Sequence, residues 1–217
     1  MHIKRSAASS EALLDPQHAA WQQAEAREFR MIPTPLKANP MIEAISPFLA
    51  QSTDHGTLNQ LAAFGLHNGE VLTLRLRWAG GERQQIRDLD EFVDGVAVMF
   101  PLHAKASAVT MGGKGTPVNA WYWKANRADA AFDVVAEGYG TSVRRDGASS
   151  AVRSQGAYAE GHWHVTLQRP LQGPAGHAQF HAGEPTRVAF ALWDGADRER
   201  AGRKSFSGDF VLAELDA

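Results

Sequence analysis

Short segments with the periodicity of β-strands follow one another through most of the chain after residue 60. Residues 71–78 alternate between apolar and polar side chains in their second half, which is typical of a strand with one buried face. Turns rich in glycine and proline separate such segments, and helical patterns are few. The sequence therefore predicts a mainly β fold, an antiparallel β-sandwich with a few short helices. The other predicted strands are residues 92–100, 118–124, 132–140, 161–170, 187–194 and 206–215.

The chain of 217 residues is long enough to bury a sizeable core in one large domain. We expect residues 1–30 to form a flexible lead-in that is partly helical, with one short helix within residues 16–30. Residues 31–217 are predicted to form a single domain. Four prolines interrupt regular structure at its beginning: Pro33, Pro35, Pro40 and Pro47.

The chain contains no cysteine. This excludes disulfides, cysteine-ligated iron–sulfur clusters, thiolate nucleophiles and the covalent attachment of c-type haem. Any haem must therefore be held non-covalently, by side chains other than thiolates.

The net charge of −2 gives no electrostatic signature of nucleic-acid binding. No apolar run approaches the ~18 residues that a membrane-spanning helix needs. The first residues are basic but lack the apolar segment of a secretory signal. We therefore expect a protein that stays in the cytoplasm or crosses a membrane attached to another protein.

Pairs of histidines are the first candidates for metal ligands. His162 and His164 lie two residues apart on a predicted strand and would point the same way, opposite the apolar Trp163, Val165 and Leu167. They share the polar face with Thr166, no third ligand follows in sequence, and solvated histidines are favoured. His177 and His181 are four apart, but the nearby glycines and Pro174 argue against a helix. A nucleophile elbow and a phosphate-binding loop are not supported.

Met111 and Lys204 fit a purely structural role less well. Met111 lies between a hydrophobic strand and the glycine-rich turn at residues 112–115, and Lys204 lies just before the last predicted strand. Taken alone, each residue type in such a position is more often structural or solvated than a ligand. The residues themselves do not decide between these alternatives.

At these positions the chain resembles the haem-binding γ subunits of ethylbenzene dehydrogenase and its relatives. That family includes the small subunits of dimethylsulfide dehydrogenase, chlorate and selenate reductases and steroid C25 dehydrogenase. The resemblance covers most of residues 60–215. Its motifs are the Met-Gly-Gly loop at 110–115, the Pro-Val-Asn-x-Trp segment at 117–124, and the segments 94–101, 161–165, 188–195 and 204–206.

The resemblance implies a haem b within the sandwich, with Met111 and Lys204 as its iron ligands. It implies further cofactor contacts from Phe100, Asn119 and Trp123. The aromatic residues expected to line the porphyrin between the two sheets are Phe100, Trp121, Trp123 and Trp193, and the arginines considered for its propionates are Arg75, Arg77 and Arg203. The alternatives for the second iron ligand are His103 and Lys114.

The chemistry of this ligand pair is reasonable. A thioether is a soft ligand that favours ferrous iron, and an amine is a harder one. The lysine must lose its proton to bind iron, against an ordinary pKa of ~10.4, which burial beside a metal and the adjacent Arg203 would lower. Because both axial positions are filled, the iron has no open site for a substrate, and electron transfer is favoured over catalysis.

The implied role is that of the γ subunit in a heterotrimer. An α subunit with the molybdenum cofactor would transform a hydrocarbon, a steroid side chain or an oxyanion. A β subunit would carry iron–sulfur clusters, and the haem would exchange electrons with a soluble cytochrome or another acceptor. The expected location is the periplasm, after export with the α subunit. The alternatives are a carbohydrate-binding module of the same sandwich class, without haem, and a histidine-based metal enzyme.

Overall fold

The computed structural model of the chain describes residues 1–37, 40–82, 91–127, 129–145 and 150–217. Three short α-helices are α1 (Ser10–Leu14), α2 (Pro40–Ile45) and α3 (Pro47–Ala50), and 3-10 turns lie at Ala19–Gln23 and Ala125–Arg127. The strands are β1 (His2–Arg5), β2 (Arg27–Arg30), β3 (Ile32–Pro33), β4 (Gln60–His67), β5 (Val71–Ala79), β6 (Gly95–Pro101), β7 (Val118–Lys124), β8 (Phe132–Ala136), β9 (Val143–Arg145), β10 (Arg153–Ala159), β11 (His162–Pro170), β12 (Pro185–Trp193), β13 (Ser205–Phe206) and β14 (Val211–Leu215).

The strands form a sandwich of two layers joined through β12. The hydrogen-bonded order is β10-β11-β5-β4-β1-β14-β12-β6-β7-β8-β9. The first half of β12 pairs with β14, and its second half pairs with β6. We call the strands from β10 to β14 the first layer and those from β12 to β9 the second layer. The predicted fold class, mainly β and sandwich-like with a few short helices, is confirmed.

Large aromatic side chains fill the space between the layers. Trp78 and Trp163 of the first layer meet Trp123 of the second, with ring centroids 6.2 and 5.1 Å from that of Trp123. Phe100 packs against Trp121 at 4.8 Å. Close packing of this kind leaves little room for a large ligand between the sheets.

A buried polar network occupies one region of this core. The Asn119 amide donates to Asp133 Oδ1 at 2.6 Å and to the Val134 carbonyl at 3.0 Å. Its oxygen accepts from Arg169 Nη1 and from the Ala178 backbone N–H, each at 3.1 Å. Asn119, Asp133 and Arg169 are all inaccessible to solvent. Because buried charges are tolerated only when they are paired and hydrogen-bonded, Asn119 links the two ions, whereas Asp133 Oδ2 has no hydrogen-bond partner among the described residues.

The first 30 residues are part of the sandwich. Strand β1 lies parallel between β4 and β14, and β2 pairs with β4. Within residues 16–30 the structure has only the 3-10 turn and β2, where one helix was predicted. Local patterns missed this arrangement because pairing with distant strands decides it.

The other predicted strands differ from the structure mainly at their ends. The predicted strand 132–140 ends at Ala136, and the predicted strand 206–215 divides into β13 and β14. Helix α1 covers part of the face of β11 that was predicted to be polar, where the Thr166 hydroxyl donates to the Leu14 carbonyl. Within the described residues, no helix is both long and apolar enough to span a membrane.

Candidate functional site

A cavity of about 360 Å³ lies on the outer face of the second layer, beneath α2 and α3. Its floor includes Ala97 of β6, Ala120 of β7 and Val134 of β8. The outer face of an antiparallel sheet is ordinarily polar, but here small apolar side chains make room above the sheet. The volume lies within the range of cofactor and small-molecule sites. The roof is apolar as well, and it is formed by Leu36, Ile42, Ile45 and Leu49.

Lys204 reaches this cavity from the segment that precedes β13. Its side chain is buried, and burial lowers its pKa to about 8. The ammonium nitrogen lies 5.4 Å from the Trp193 ring centroid. Among the described residues, none forms a hydrogen bond or ion pair with this nitrogen. Burial without a hydrogen-bond or ion-pair partner shifts a lysine towards the neutral amine, which is the form that binds a metal.

The backbone around Lys204 is held by several contacts. Thr34 donates to the Lys204 carbonyl from its backbone N–H at 3.0 Å and from its hydroxyl at 3.1 Å. Arg203 turns away and donates to Ser52 Oγ at 2.8 Å and to Asp54 Oδ1 at 3.0 Å. The expectation that Arg203 helps to lower the pKa of Lys204 is therefore wrong, since burial is the cause of the shift.

Met111 lies in the loop between β6 and β7 with a positive φ of 57°, followed by Gly112 at 83°. The loop is held by hydrogen bonds from the Gly112 N–H to the Ser107 carbonyl at 2.8 Å and from the Gly138 N–H to the Met111 carbonyl at 2.9 Å. Met111 lines the cavity, and together with Lys204 it also lines a smaller adjoining cavity of about 40 Å³. Two residues far apart in sequence therefore meet the same internal space.

Gly112→Ala should destabilise this loop by about 2 kcal/mol, because a left-handed conformation strains any residue with a Cβ. The added Cβ would also lie 2.7 Å from the Thr116 carbonyl oxygen, which is too close. Chemical denaturation measures the change, and Gly115→Ala is the matched control. Gly115 also has a positive φ, but its Cβ would meet no atom within 4 Å. Equal losses for both variants would show that the close approach at Gly112 has no effect.

The other predicted cofactor contacts do not lie at this cavity. Phe100, Asn119 and Trp123 point into the space between the layers, as does Trp121. The side chains of β7 alternate, so Ala120 and Tyr122 face the cavity while their neighbours face the core. The space between the two sheets, where the resemblance implies a cofactor, is filled by these side chains, and the position of a cofactor stays a prediction. Sequence alternation separates two faces of a strand but does not say which one borders a cavity.

Of the four aromatic candidates, Trp193 is the one that lines the cavity. Its indole N–H donates to the Ala201 carbonyl at 3.1 Å, which orients the ring beside Lys204. The candidate arginines of β5, Arg75 and Arg77, belong to the first layer. The alternative ligands His103 and Lys114 are exposed and are absent from the cavity wall.

Sequence reasoning missed four polar residues of the wall, namely Tyr122, Tyr139, Ser142 and Arg144. Burial raises the pKa of Tyr122 to about 12, against an opposing effect of the Arg144 charge. The Tyr139 hydroxyl donates to the Val109 carbonyl, which ties the cavity wall to the Met111 loop. The alternation of side chains along β7 could have predicted the position of Tyr122, because it places Tyr122 on the face opposite Trp121 and Trp123.

The histidine pairs do not form a metal centre. The His164 ring accepts a hydrogen bond at 3.0 Å from Arg75, and burial, Arg75 and Arg77 lower its pKa. His177 lies 3.6 Å from Asp133 in the core, and His181 is exposed. Across the described ranges, no three His, Cys, Asp or Glu side chains come together as metal ligands would.

All six tryptophans are buried. These tryptophans therefore do not form a carbohydrate-binding platform of exposed aromatics. The chain does share its fold with a family 9 carbohydrate-binding module from Caldicellulosiruptor kristjanssonii in complex with glucose. The TM-score is 0.53 at 8% identity, covering all of this chain and 96% of that one. Identity this low shows likeness of fold alone.

Three curated proteins are similar in sequence. "Putative respiratory nitrate reductase heme subunit ORF7" of Haloferax mediterranei is 38% identical over 141 residues, which is 64% of this chain and 50% of that protein. Chlorate reductase subunit gamma of Ideonella dechloratans is 34% identical, covering 67% and 61%. Dimethylsulfide dehydrogenase subunit gamma of Rhodovulum sulfidophilum is 32% identical, covering 67% and 57%. The matched part spans between half and about three fifths of these relatives.

The family model for ethylbenzene dehydrogenase matches residues 18–149 and 138–205, which include the cavity, the Met111 loop and Lys204. The resemblance stated from the motifs is thereby confirmed. The chain belongs to the ethylbenzene dehydrogenase family, in the group that includes the gamma subunits of chlorate reductase and dimethylsulfide dehydrogenase.

Proposed function

We propose that this chain is the haem b-binding, electron-transfer γ subunit of a molybdenum enzyme complex of the ethylbenzene dehydrogenase type. The observation that carries the proposal is the pair Met111 and Lys204 at one apolar cavity, with the lysine buried and unpaired among the described residues. The names of the similar proteins support it, since one is a haem subunit and two are gamma subunits.

The residues of the cavity fit a haem. Apolar walls and a floor with alanines suit a flat apolar ring, and a thioether and an amine are two donors for its iron. When bound, the haem supplies an iron that takes up or releases one electron. The protein contributes the two donors, an apolar environment and the exclusion of water.

Each donor has a distinct part. Met111 presents a soft sulfur that favours the reduced metal, and Lys204 presents an amine that burial keeps closer to neutrality. With both residues as ligands, a substrate would find no open coordination position. The γ chain would therefore relay electrons without turnover of its own.

The partners follow from the same proposal. An α subunit would hold the molybdenum cofactor and a β subunit the iron–sulfur clusters, in a heterotrimer that exchanges electrons with a soluble cytochrome or another acceptor. Nitrate, chlorate and dimethylsulfide occur in the names of the similar proteins, and a hydrocarbon or steroid substrate is equally compatible with this chain. We place the complex in the periplasm, with export through the α subunit.

The visible spectrum tests the proposal. The purified chain with added haem should show a Soret band and sharp α and β bands after reduction. Met111→Ala should shift these bands and the haem potential, because the iron loses its sulfur donor. Met41→Ala is the matched control, since Met41 is exposed and absent from the cavity wall. A chain that stays colourless, or a Met111→Ala spectrum identical to that of the wild type, would rule out this ligation.

A further inference from the structure

The cavity has one charged margin that faces solvent. Arg144 and Lys204 are the two charged residues of its wall, and of these Arg144 is exposed. Ser142 and Tyr139 carry hydroxyl groups at the same wall. Arg144 therefore brings an exposed charge to a largely apolar wall, with the Ser142 hydroxyl two residues before it in sequence.

The strand order places Arg144 far from Lys204. Arg144 lies on β9, the last strand of the second layer, and pairs with Val134 on the cavity floor. Trp193, which borders Lys204, lies on β12, four strands away. Neighbouring strands are about 4.8 Å apart, so the backbones of β9 and β12 are separated by roughly 19 Å.

The guanidinium of Arg144 is held beside the cavity by an aromatic ring. Its central carbon lies 5.6 Å from the Phe132 ring centroid. Its charge also acts on the buried Tyr122 hydroxyl, which lines the cavity. Within the part of the chain that the structure describes, no carboxylate lies at ion-pairing distance from Arg144. Arg144 therefore lines the cavity without a carboxylate partner among the described residues.

We infer that Arg144 binds a carboxylate of the cofactor, with the Ser142 hydroxyl as a second donor, and this rests on the proposed function. Haem b is an apolar ring with two carboxylates at one edge. A guanidinium pairs with a carboxylate through two parallel hydrogen bonds. With the ring among the apolar walls and the carboxylate edge at β9, each part of the ligand meets matching chemistry. This carboxylate-binding role falls to none of the arginines considered from sequence.

The test compares Arg144→Gln with Arg145→Gln. Arg145 is the next residue on β9 and is also exposed, but alternation points it to the opposite face, and it does not line the cavity. The measured quantity is the rate of haem release to an excess of apomyoglobin, for haem b and for its dimethyl ester. Arg144→Gln should release haem b about fivefold faster, as expected for one exposed ion pair, and Arg145→Gln should match the wild type.

Comparing haem b with its dimethyl ester, in which the carboxylates are esterified, completes a double-mutant type of cycle with the Arg144 substitution. The ester should leave the wild type and Arg145→Gln about fivefold faster than haem b does, whereas in Arg144→Gln this difference should shrink to the small part that the Ser142 hydroxyl contributes. Arg144→Lys keeps the positive charge but cannot form two parallel hydrogen bonds to a carboxylate. Its rate of haem release should lie between those of Arg144→Gln and the wild type. Equal release by the two glutamine variants, or an undiminished ester effect in Arg144→Gln, would overturn the inference and leave the haem proposal standing. A wild-type chain that takes up no haem would overturn both.

Discussion

Replacing Lys204 with leucine is expected to stabilise the haem-free protein by about 3 kcal/mol at pH 7. Burial lowers the pKa of Lys204 from 10.5 to about 8. Each unit of such a shift corresponds to about 1.4 kcal/mol, so the charged form is penalised by about 3 kcal/mol in the folded state. Leucine removes this penalty and keeps an apolar side chain against Trp193.

The lowered pKa of Lys204 also determines how the free energy of unfolding changes with pH. The folded state has the lower pKa, so the unfolded chain binds more protons between pH 8 and pH 10.5. The free energy of unfolding of the wild type should therefore gain a contribution that rises through this window. Below pH 8 the wild type bears the full free-energy cost of burying the charged Lys204. The gain in stability from Lys204→Leu should therefore shrink as the pH approaches 10.5.

Urea denaturation of the haem-free proteins at several pH values measures this difference. Lys114→Leu is the matched control, because Lys114 is exposed and its replacement should not give the gain in stability. A Lys204→Leu protein that is less stable than the wild type at pH 7 would show that the amine has a stabilising partner in the folded state. In the haem-loaded protein the same variant should lose the spectrum of the wild type. Lys204 would then destabilise the haem-free protein and act as an iron ligand in the haem-bound protein.

Asn119→Ala should have the second large effect, a loss of about 4 kcal/mol in the free energy of unfolding. The amide of Asn119 joins Asp133 at 2.6 Å and Arg169 at 3.1 Å, and all three side chains are inaccessible to solvent. Without it, both ions lose a hydrogen bond that no water can replace without entering the core. Breaking a buried charged network of this kind costs about 3–5 kcal/mol.

The haem spectrum of Asn119→Ala should match that of the wild type under conditions where the variant is folded. The reason is that Asn119 faces the space between the layers and the cavity lies on the other side of β7. Urea denaturation measures the loss in the free energy of unfolding, and the visible spectrum measures any change at the haem. Asn126→Ala is the control, since Asn126 is exposed next to the end of the same strand. An altered spectrum at unchanged stability would instead place Asn119 at the cofactor.

The strand positions could be read from the sequence because alternation and turn residues are local properties. The predicted strand 118–124 coincides with β7, and the predicted strand 71–78 lies within β5 (Val71–Ala79). The sequence predicts a separate lead-in for the first 30 residues because they lack such a pattern. Their strand β1 is stabilised by pairing with β4 and β14, which are distant in sequence. Pairing of that kind leaves no local signature.

Part of the candidate site could likewise be predicted from the sequence, and part of it depends on the tertiary structure. Met111 and Lys204 stood out from residue type, position and resemblance, and the sequence by itself also determined that any haem must be held without cysteine. Only the tertiary structure decided that the cavity lies on the outer face of the second layer. The physical reason is that a strand presents two faces with equal periodicity, and packing against the first layer selects the face of Trp121 as core. Packing likewise turns Arg203 toward Asp54 and Lys204 into the cavity, although the two residues are adjacent in the chain.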